Sequence, residues 1–169
     1  KKGGKGKRGK AATNFAIQLL EKQKVRFSYG VSEKQFYNYV KKALVVKKGA
    51  PTEKLSESLE RRLDNVVYRL GLANSRALAR QMVAHGHFVV KGKRVTVPSY
   101  NTSVGDVISI REGSRSKALF QNLDTRLKNY TSPNWLSFDI AKGEAVVKAL
   151  PNQPESYLDY NAVIEFYSR

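Results

Sequence analysis

The run Leu55-Ser56-Glu57-Ser58-Leu59-Glu60-Arg61-Arg62-Leu63-Asp64-Asn65-Val66-Val67-Tyr68-Arg69-Leu70-Gly71 decides the fold class. Leu55, Leu59, Leu63, Val66, Val67 and Leu70 recur at the three- and four-residue steps of one helical face. Gly71 is the residue type that stops a helix just past its end. One amphipathic helix over 55–70 is therefore expected, with Arg61, Arg62, Asn65 and Arg69 off its apolar stripe. Glu57 and Arg61 form an i,i+4 pair worth about a few tenths of a kcal/mol. Glu57, Glu60 and Asp64 lie at helical spacings amid arginines, the pattern of a salt-bridged surface rather than of catalytic carboxylates.

Downstream, Ser75 can cap a further helix with Leu78, Met82 and Val83 inward and Gly86 as its stop. Arg76 and Arg80 are one turn apart there and project from one face. The period then changes to that of strands. Phe88-Val89-Val90 and Val95-Thr96-Val97 flank a Lys91-Gly92-Lys93-Arg94 turn, Pro98 ends the second strand, and Val107 to Ile110 follows the Gly105-Asp106 turn. Two helices and a small sheet make a unit of about 60 residues, marginal alone. The C-terminal third is expected to complete it, with a helix over 116–130, a strand over 135–138, and a strand or buried segment over 162–167.

Upstream, Asn14 to Tyr29 reads as a helix stopped by Gly30. Ser32 with Gln35 is a capping box opening a second helix to about Lys48. Phe36, Tyr39, Val40 and Leu44 form its stripe, and Lys34, Lys41, Lys42 and Lys48 take other faces. Gly49-Ala50-Pro51-Thr52 is a break and an expected domain boundary. The fold class is α+β, a helical part joined to helices plus a small, mainly antiparallel sheet.

The chain has 169 residues with 31 Lys+Arg against 14 Asp+Glu, a net charge of +17. Residues 1–54 carry +12, 55–115 carry +5 and 116–169 carry zero. Such a gradient points to a polyanion-binding front and a neutral remainder that packs. With 41% hydrophobic residues the chain can build a core, which argues against wholesale disorder. The longest apolar runs, such as Ala43 to Val46, are far short of the roughly 20 residues that span a bilayer. No apolar signal segment follows the basic start. The absence of cysteine excludes disulfides and thiolate metal sites within these residues. Residues 1–13 read as a flexible basic arm carrying Lys5, Lys7, Arg8 and Lys10. Gly4 to Lys10 comes close to a phosphate-binding loop, but Ala11 stands where a hydroxyl is needed and no strand precedes it, so no nucleotide site is assigned.

Nucleic acid is the first candidate polyanion. An acidic membrane surface ranks below it, because the basic helices lack a wide apolar face. Arg61, Arg62, Arg76, Arg80, Lys91, Lys93 and Arg94 come from three elements and suit a ridged phosphate backbone. Asn65, Asn74 and Ser75 could add hydrogen bonds, and the helix start at Ser75-Arg76 offers free N–H groups. His85 and His87 lack a third metal ligand and read as a helix-to-strand turn. Phe36 and Tyr39 read as core, while Phe27 is open between core and base stacking.

The stretches Glu60 to Gly71, Ser75 to Gln81, His85 to Val95 and Gly105-Asp106 resemble the S-four RNA-binding domain. Glu21 to Arg26, Tyr29-Gly30-Val31, Lys34-Gln35-Phe36 and the terminal Val163 to Arg169 extend the likeness to the bacterial-type ribosomal protein four family of the small subunit. The resemblance implies a helical domain of residues 14–54 with 156–169 and an S-four domain over 55–155, its core at 58–113. It implies direct binding to small-subunit ribosomal RNA (rRNA) near a 5′-domain junction during assembly. It also implies a place where messenger RNA enters, beside S-five and S-three type proteins, with an influence on decoding accuracy. The RNA contacts it implies are the arm bases, Lys22, Lys24, Arg26, Lys34, Lys41, Arg61, Arg62, Asn65, Arg69, Ser75, Arg76, Arg80, Lys91, Lys93 and Arg94, with Asp64 orienting an arginine. No enzyme activity, cofactor, metal or membrane partner is expected. The setting would be the ribosome in bacterial cytoplasm or in an organelle with bacterial-type ribosomes. Many relatives carry an N-terminal cysteine cluster that is missing here. A freestanding S-four-type RNA-binding factor is the alternative.

Overall fold

The Thr13 hydroxyl accepts the Ala16 N–H and starts helix α1, Asn14–Tyr29, which ends on a left-handed Gly30. The computed structural model describes residues 13–152 and 157–169. Helix α2, Glu33–Leu44, opens on the full Ser32–Gln35 capping box. It stops one turn earlier than expected. Ala43 is its last buried residue, and Leu44 and Val45 face solvent, so nothing holds a further turn.

The expected single helix over 55–70 is two helices, α3 at Pro51–Glu60 and α4 at Leu63–Arg69. The chain bends at Arg62, whose ψ of 138° is extended. A loop from far along the sequence makes the bend. Leu63 N–H donates to the Tyr100 carbonyl at 2.9 Å and Asp64 N–H to the Pro98 carbonyl at 3.1 Å, while Thr102 N–H donates to the Arg61 carbonyl at 2.9 Å. These partners satisfy N–H groups that an uninterrupted helix would have bonded internally. The leucine spacing survives the break because it serves two cores. Leu55 and Leu59 pack with Val25, Tyr29, Phe36, Val40 and Val163, whereas Leu63, Val66, Val67 and Leu70 pack with the sheet. The two cores thus part at Arg61-Arg62, which corrects the boundary expected at residues 54–55. The Gly49–Thr52 break lies inside the helical unit, between α2 and α3.

Ser75 caps α5, Arg76–Ala84, through the Leu78 N–H. Strands β1 Phe88–Val90, β2 Lys93–Val95, β3 Val107–Ile110, β4 Leu136–Asp139 and β5 Glu144–Val147 form one antiparallel sheet in the order β2-β1-β3-β5-β4. Strand β5 had no expectation attached. The helix expected over 116–130 shrinks to a 3₁₀ turn at Ala118–Phe120 and the short α6, Leu123–Leu127, because Asn122 between them adopts a left-handed φ of 57°. The terminal segment is a helix, α7 at Tyr160–Tyr167, capped by Asp159 and laid along α1 and α3. Its Tyr160, Val163, Ile164 and Tyr167 recur at helical spacing, a pattern that outweighs the weak alternation.

Candidate nucleic-acid interface

Four charged side chains off the leucine stripe meet where the two cores part, and they turn inward. Arg62 is 1% exposed. Its Nε and Nη2 donate to the two oxygens of Asp64 at 3.1 and 3.0 Å, and its Nη1 donates to the Tyr39 hydroxyl at 3.1 Å. Asp64 also accepts the Asn65 N–H at 2.7 Å. Asn65, likewise 1% exposed, donates through Nδ2 to the backbone carbonyl and the carboxylate of Glu60, both at 2.8 Å. Arg69 donates to both Glu60 oxygens at 3.0 and 2.7 Å, and the Tyr29 hydroxyl adds a third donor at 2.5 Å. Arg76 lies between the rings of Tyr29 and Tyr68, 4.6 and 4.5 Å from their centroids, and donates to Asn65 Oδ1 at 2.9 Å and the Ser28 carbonyl at 3.1 Å. Tyr29, Ser28 and Tyr39 belong to the helical unit and Asn65, Tyr68 and Arg76 to the sheet unit, so this network is the joint between them.

The electrostatics follow from burial and pairing. Burial opposes charge on Glu60, yet hydrogen bonds and attraction from Arg69, with help from Tyr29 and Asn65, hold its carboxyl below the ordinary range. Burial and the neighbouring Glu60 push the Tyr29 hydroxyl far up, and burial foremost lifts Tyr160 to about 12. Both tyrosines stay neutral donors at physiological pH.

This placement divides the expected contacts by exposure and pairing. Arg62 and Asn65 are enclosed within the joint. Arg69 and Arg76 are half-buried and engaged in the joint. Arg61 donates to the Thr102 carbonyl at 2.8 Å and to Glu57 at 3.3 Å. Ser75 spends its hydroxyl on the cap of α5. Lys22 is buried against Glu33, Lys24 pairs with Glu21 at 2.7 Å, and Arg26 bonds Glu33 and Gln23 and stacks on Phe27 at 4.2 Å. Phe27 itself is 65% exposed, so its open reading resolves toward the surface. Arg80 reaches the Gly30 carbonyl and Arg94 the carbonyls of His85 and Gly86, and both remain exposed. Lys91 pairs with Asp106 at 3.0 Å from an exposed position, and that hydrogen bond raises its pKa. Lys5, Lys7, Arg8 and Lys10 lie outside the described residues.

Exposed cations cluster on the outer face of α2 and at the hairpin tip. Lys34, Asn38, Lys41 and Lys42 share one helical face by spacing and are all exposed. A groove of about 270 Å³ runs beside it, lined by Gln35, Asn38, Tyr39, Lys42, Ser99 and Asn101. Amides, hydroxyls and one ammonium suit phosphate and ribose better than an apolar ligand. Ser99 and Asn101 had no local signal in the sequence; the bridge between Arg62 and Asn101 brings them here. Among the described residues no group of three or more His, Cys, Asp or Glu side chains comes together as a metal site, and no helix is long and apolar enough to cross a membrane.

Comparison with known proteins divides the chain at the same bend. Residues 1–60 match the family model for the ribosomal protein S4/S9 N-terminal domain, and residues 61–108 match that for the S4 domain. The small ribosomal subunit protein uS4 of Halothermothrix orenii is 45% identical, covering 97% of this chain and 79% of its own. The uS4A protein of Alkaliphilus oremlandii is 46% identical over the same shares, and that of Chlorobium limicola 42% identical over 98% and 82%. With both family models in tandem and this identity along nearly its whole length, the chain belongs to the small ribosomal subunit protein uS4 family.

Proposed function

We propose that this chain is a structural, non-enzymatic constituent of the small ribosomal subunit that binds its rRNA. The observation that carries this reading is the 45% identity across 97% of the chain to a small ribosomal subunit protein uS4. The exposed cations agree with it. Lys34, Lys41 and Lys42 with the groove at Asn38, Ser99 and Asn101 form one patch of contact, and Arg80, Lys91, Lys93 and Arg94 form another. Binding works by neutralising phosphates on a shaped backbone, with base reading secondary. The buried joint links the two units that carry these patches, which suits a protein that sets the geometry of an RNA junction. At finer grain we infer the 5′-domain junction as the binding site and early assembly as the stage. The position is beside S-five and S-three type proteins where messenger RNA enters, with an influence on decoding accuracy, in a bacterial-type ribosome. The test is co-sedimentation with small subunits at moderate salt. Stoichiometric retention supports the reading; a chain that washes off is a freestanding RNA-binding factor instead.

A further inference from the structure

Cationic groups converge on His87 where the end of α5, strand β2 and the segment after β3 meet. Arg94 on β2 donates through Nε to the Gly86 carbonyl at 3.0 Å and through Nη2 to the His85 carbonyl at 3.2 Å. Its guanidinium packs so closely on Gly86 that a Cβ there would stand 2.3 Å from it, and Gly86 also has a φ of +77° that disfavours other residues. Arg111 N–H donates to the His87 carbonyl at 2.8 Å, bringing the segment after β3 alongside. The turn that follows places the Ser114 hydroxyl 2.8 Å from His87 Nδ1 and carries on to Lys117. The His85 ring lies 6.3 Å from that of His87, and Phe120 closes the other side at 5.8 Å.

Two observations show what the corner lacks. The Nε of Arg111 is buried and has no hydrogen-bond partner among the described residues, and a donor taken out of water without an acceptor is costly. Beyond burial, the cations Arg111, His85, Lys117 and Arg94 press the His87 pKa below its ordinary value. Glu112, next in sequence to Arg111, makes no ion pair with the cluster among the described residues. The corner is therefore short of negative charge, and a phosphate at its exposed edge supplies it.

We propose that this corner is a phosphodiester-binding site, with Arg111, Arg94 and Lys117 gripping one RNA phosphate and His85 at its edge. Arg111 and Lys117 extend the contact surface beyond the hairpin tip. The proposal rests on the rRNA-binding reading above and adds a defined site to it. A phosphate here offsets the cations around His87, so binding lifts the pKa of that ring and takes up a proton as the pH falls.

The experiment uses the full chain and small-subunit rRNA. Affinity is measured across salt concentrations for wild type, Lys117→Gln, and Arg111→Gln with Lys117→Gln. In parallel the His87 ring is titrated by NMR in the free and RNA-bound wild type. The expected result is a slope of log affinity against log salt shallower by about 1 per lost contact. The His87 midpoint should also move to higher pH on binding. Lys117 is exposed, so its variant stays folded even if the Arg111 change perturbs the turn. Unchanged slopes with an unmoved His87 midpoint, in a wild type that still binds the rRNA, overturn the corner and leave the rRNA reading standing. A wild type that does not bind the rRNA overturns both.

Discussion

Arg62 has its guanidinium against both oxygens of Asp64 and the Tyr39 hydroxyl at 1% exposure, so the pair cannot lose one member without leaving the other stranded. Breaking a buried pair of this kind costs about 3–5 kcal/mol, whereas replacing both members with apolar groups is often near neutral. Arg62→Met is expected to lower the urea midpoint severely, and Arg62→Met with Asp64→Leu to recover much of it. Equal midpoints for the single and double variants would show that the pair is not coupled. Glu60 gives a second residue-scale prediction, this time with pH. Its folded pKa is lowered, so its contribution is complete above the unfolded value of about 4.3 and is lost as the pH falls through the folded one. Thermal unfolding of wild type and Glu60→Gln should therefore differ most near neutral pH and converge in acid. A difference that stays constant from pH 7 to pH 3 contradicts the assignment. At neutral pH the variant removes the carboxylate that Arg69 bonds through two nitrogens, a loss of about 3 kcal/mol.

At the scale of elements, helix α2 separates its packing face from its charged face. Its inward face, Phe36, Val40 and Ala43, is buried, while Lys34, Lys41 and Lys42 lie in solvent with no ion pair among the described residues. The triple change of these lysines to Gln should leave the melting temperature within a degree or two, since exposed substitutions seldom exceed about 0.5 kcal/mol. It should weaken rRNA binding and flatten its salt dependence by up to about 3 in slope. An unaltered salt slope would remove α2 from the interface. This helix was legible in the sequence because its stripe and capping box are local. The α3–α4 bend was not, because nothing in Leu55 to Leu70 encodes it. The bend depends on carbonyls of Pro98 and Tyr100 that fold back from nearly forty residues away. Arg62, Asn65 and Arg69 looked like the outer side of one helix, and a bend between two cores turns that side inward. Lysines proved more legible than arginines as surface groups here, since arginine's planar fork can be satisfied internally by carboxylates, carbonyls and aromatic faces.

On the scale of the whole molecule, the question is whether two cores behave as one. Among the described residues twenty buried apolar side chains form the sheet-side cluster and eleven the helical one, so the helical unit has the weaker core. Alone it should open first; the joint is what ties its stability to that of its neighbour. Arg76 is the most direct tie, since Tyr29 and Ser28 on one side and Tyr68 and Asn65 on the other all contact it. The single tryptophan, Trp135, is buried in the sheet-side cluster and reports that unit, while far-UV circular dichroism reports the helices of both. In wild type the two signals should trace one coincident urea transition, the mark of two-state unfolding. In Arg76→Ala the dichroism should begin to fall at lower urea than the Trp135 fluorescence, because the helical unit then opens while the sheet unit holds. The broadened transition should also bring earlier amide exchange in α1 and α7 than in β1 and β3. Coincident transitions in the variant would place the coupling elsewhere in the joint, on Glu60 and its three donors. The proposed grip on rRNA depends on this coupling: two independently opening units would meet a folded rRNA as two weak binders, and the affinity gained from linking them depends on holding both proposed patches in place.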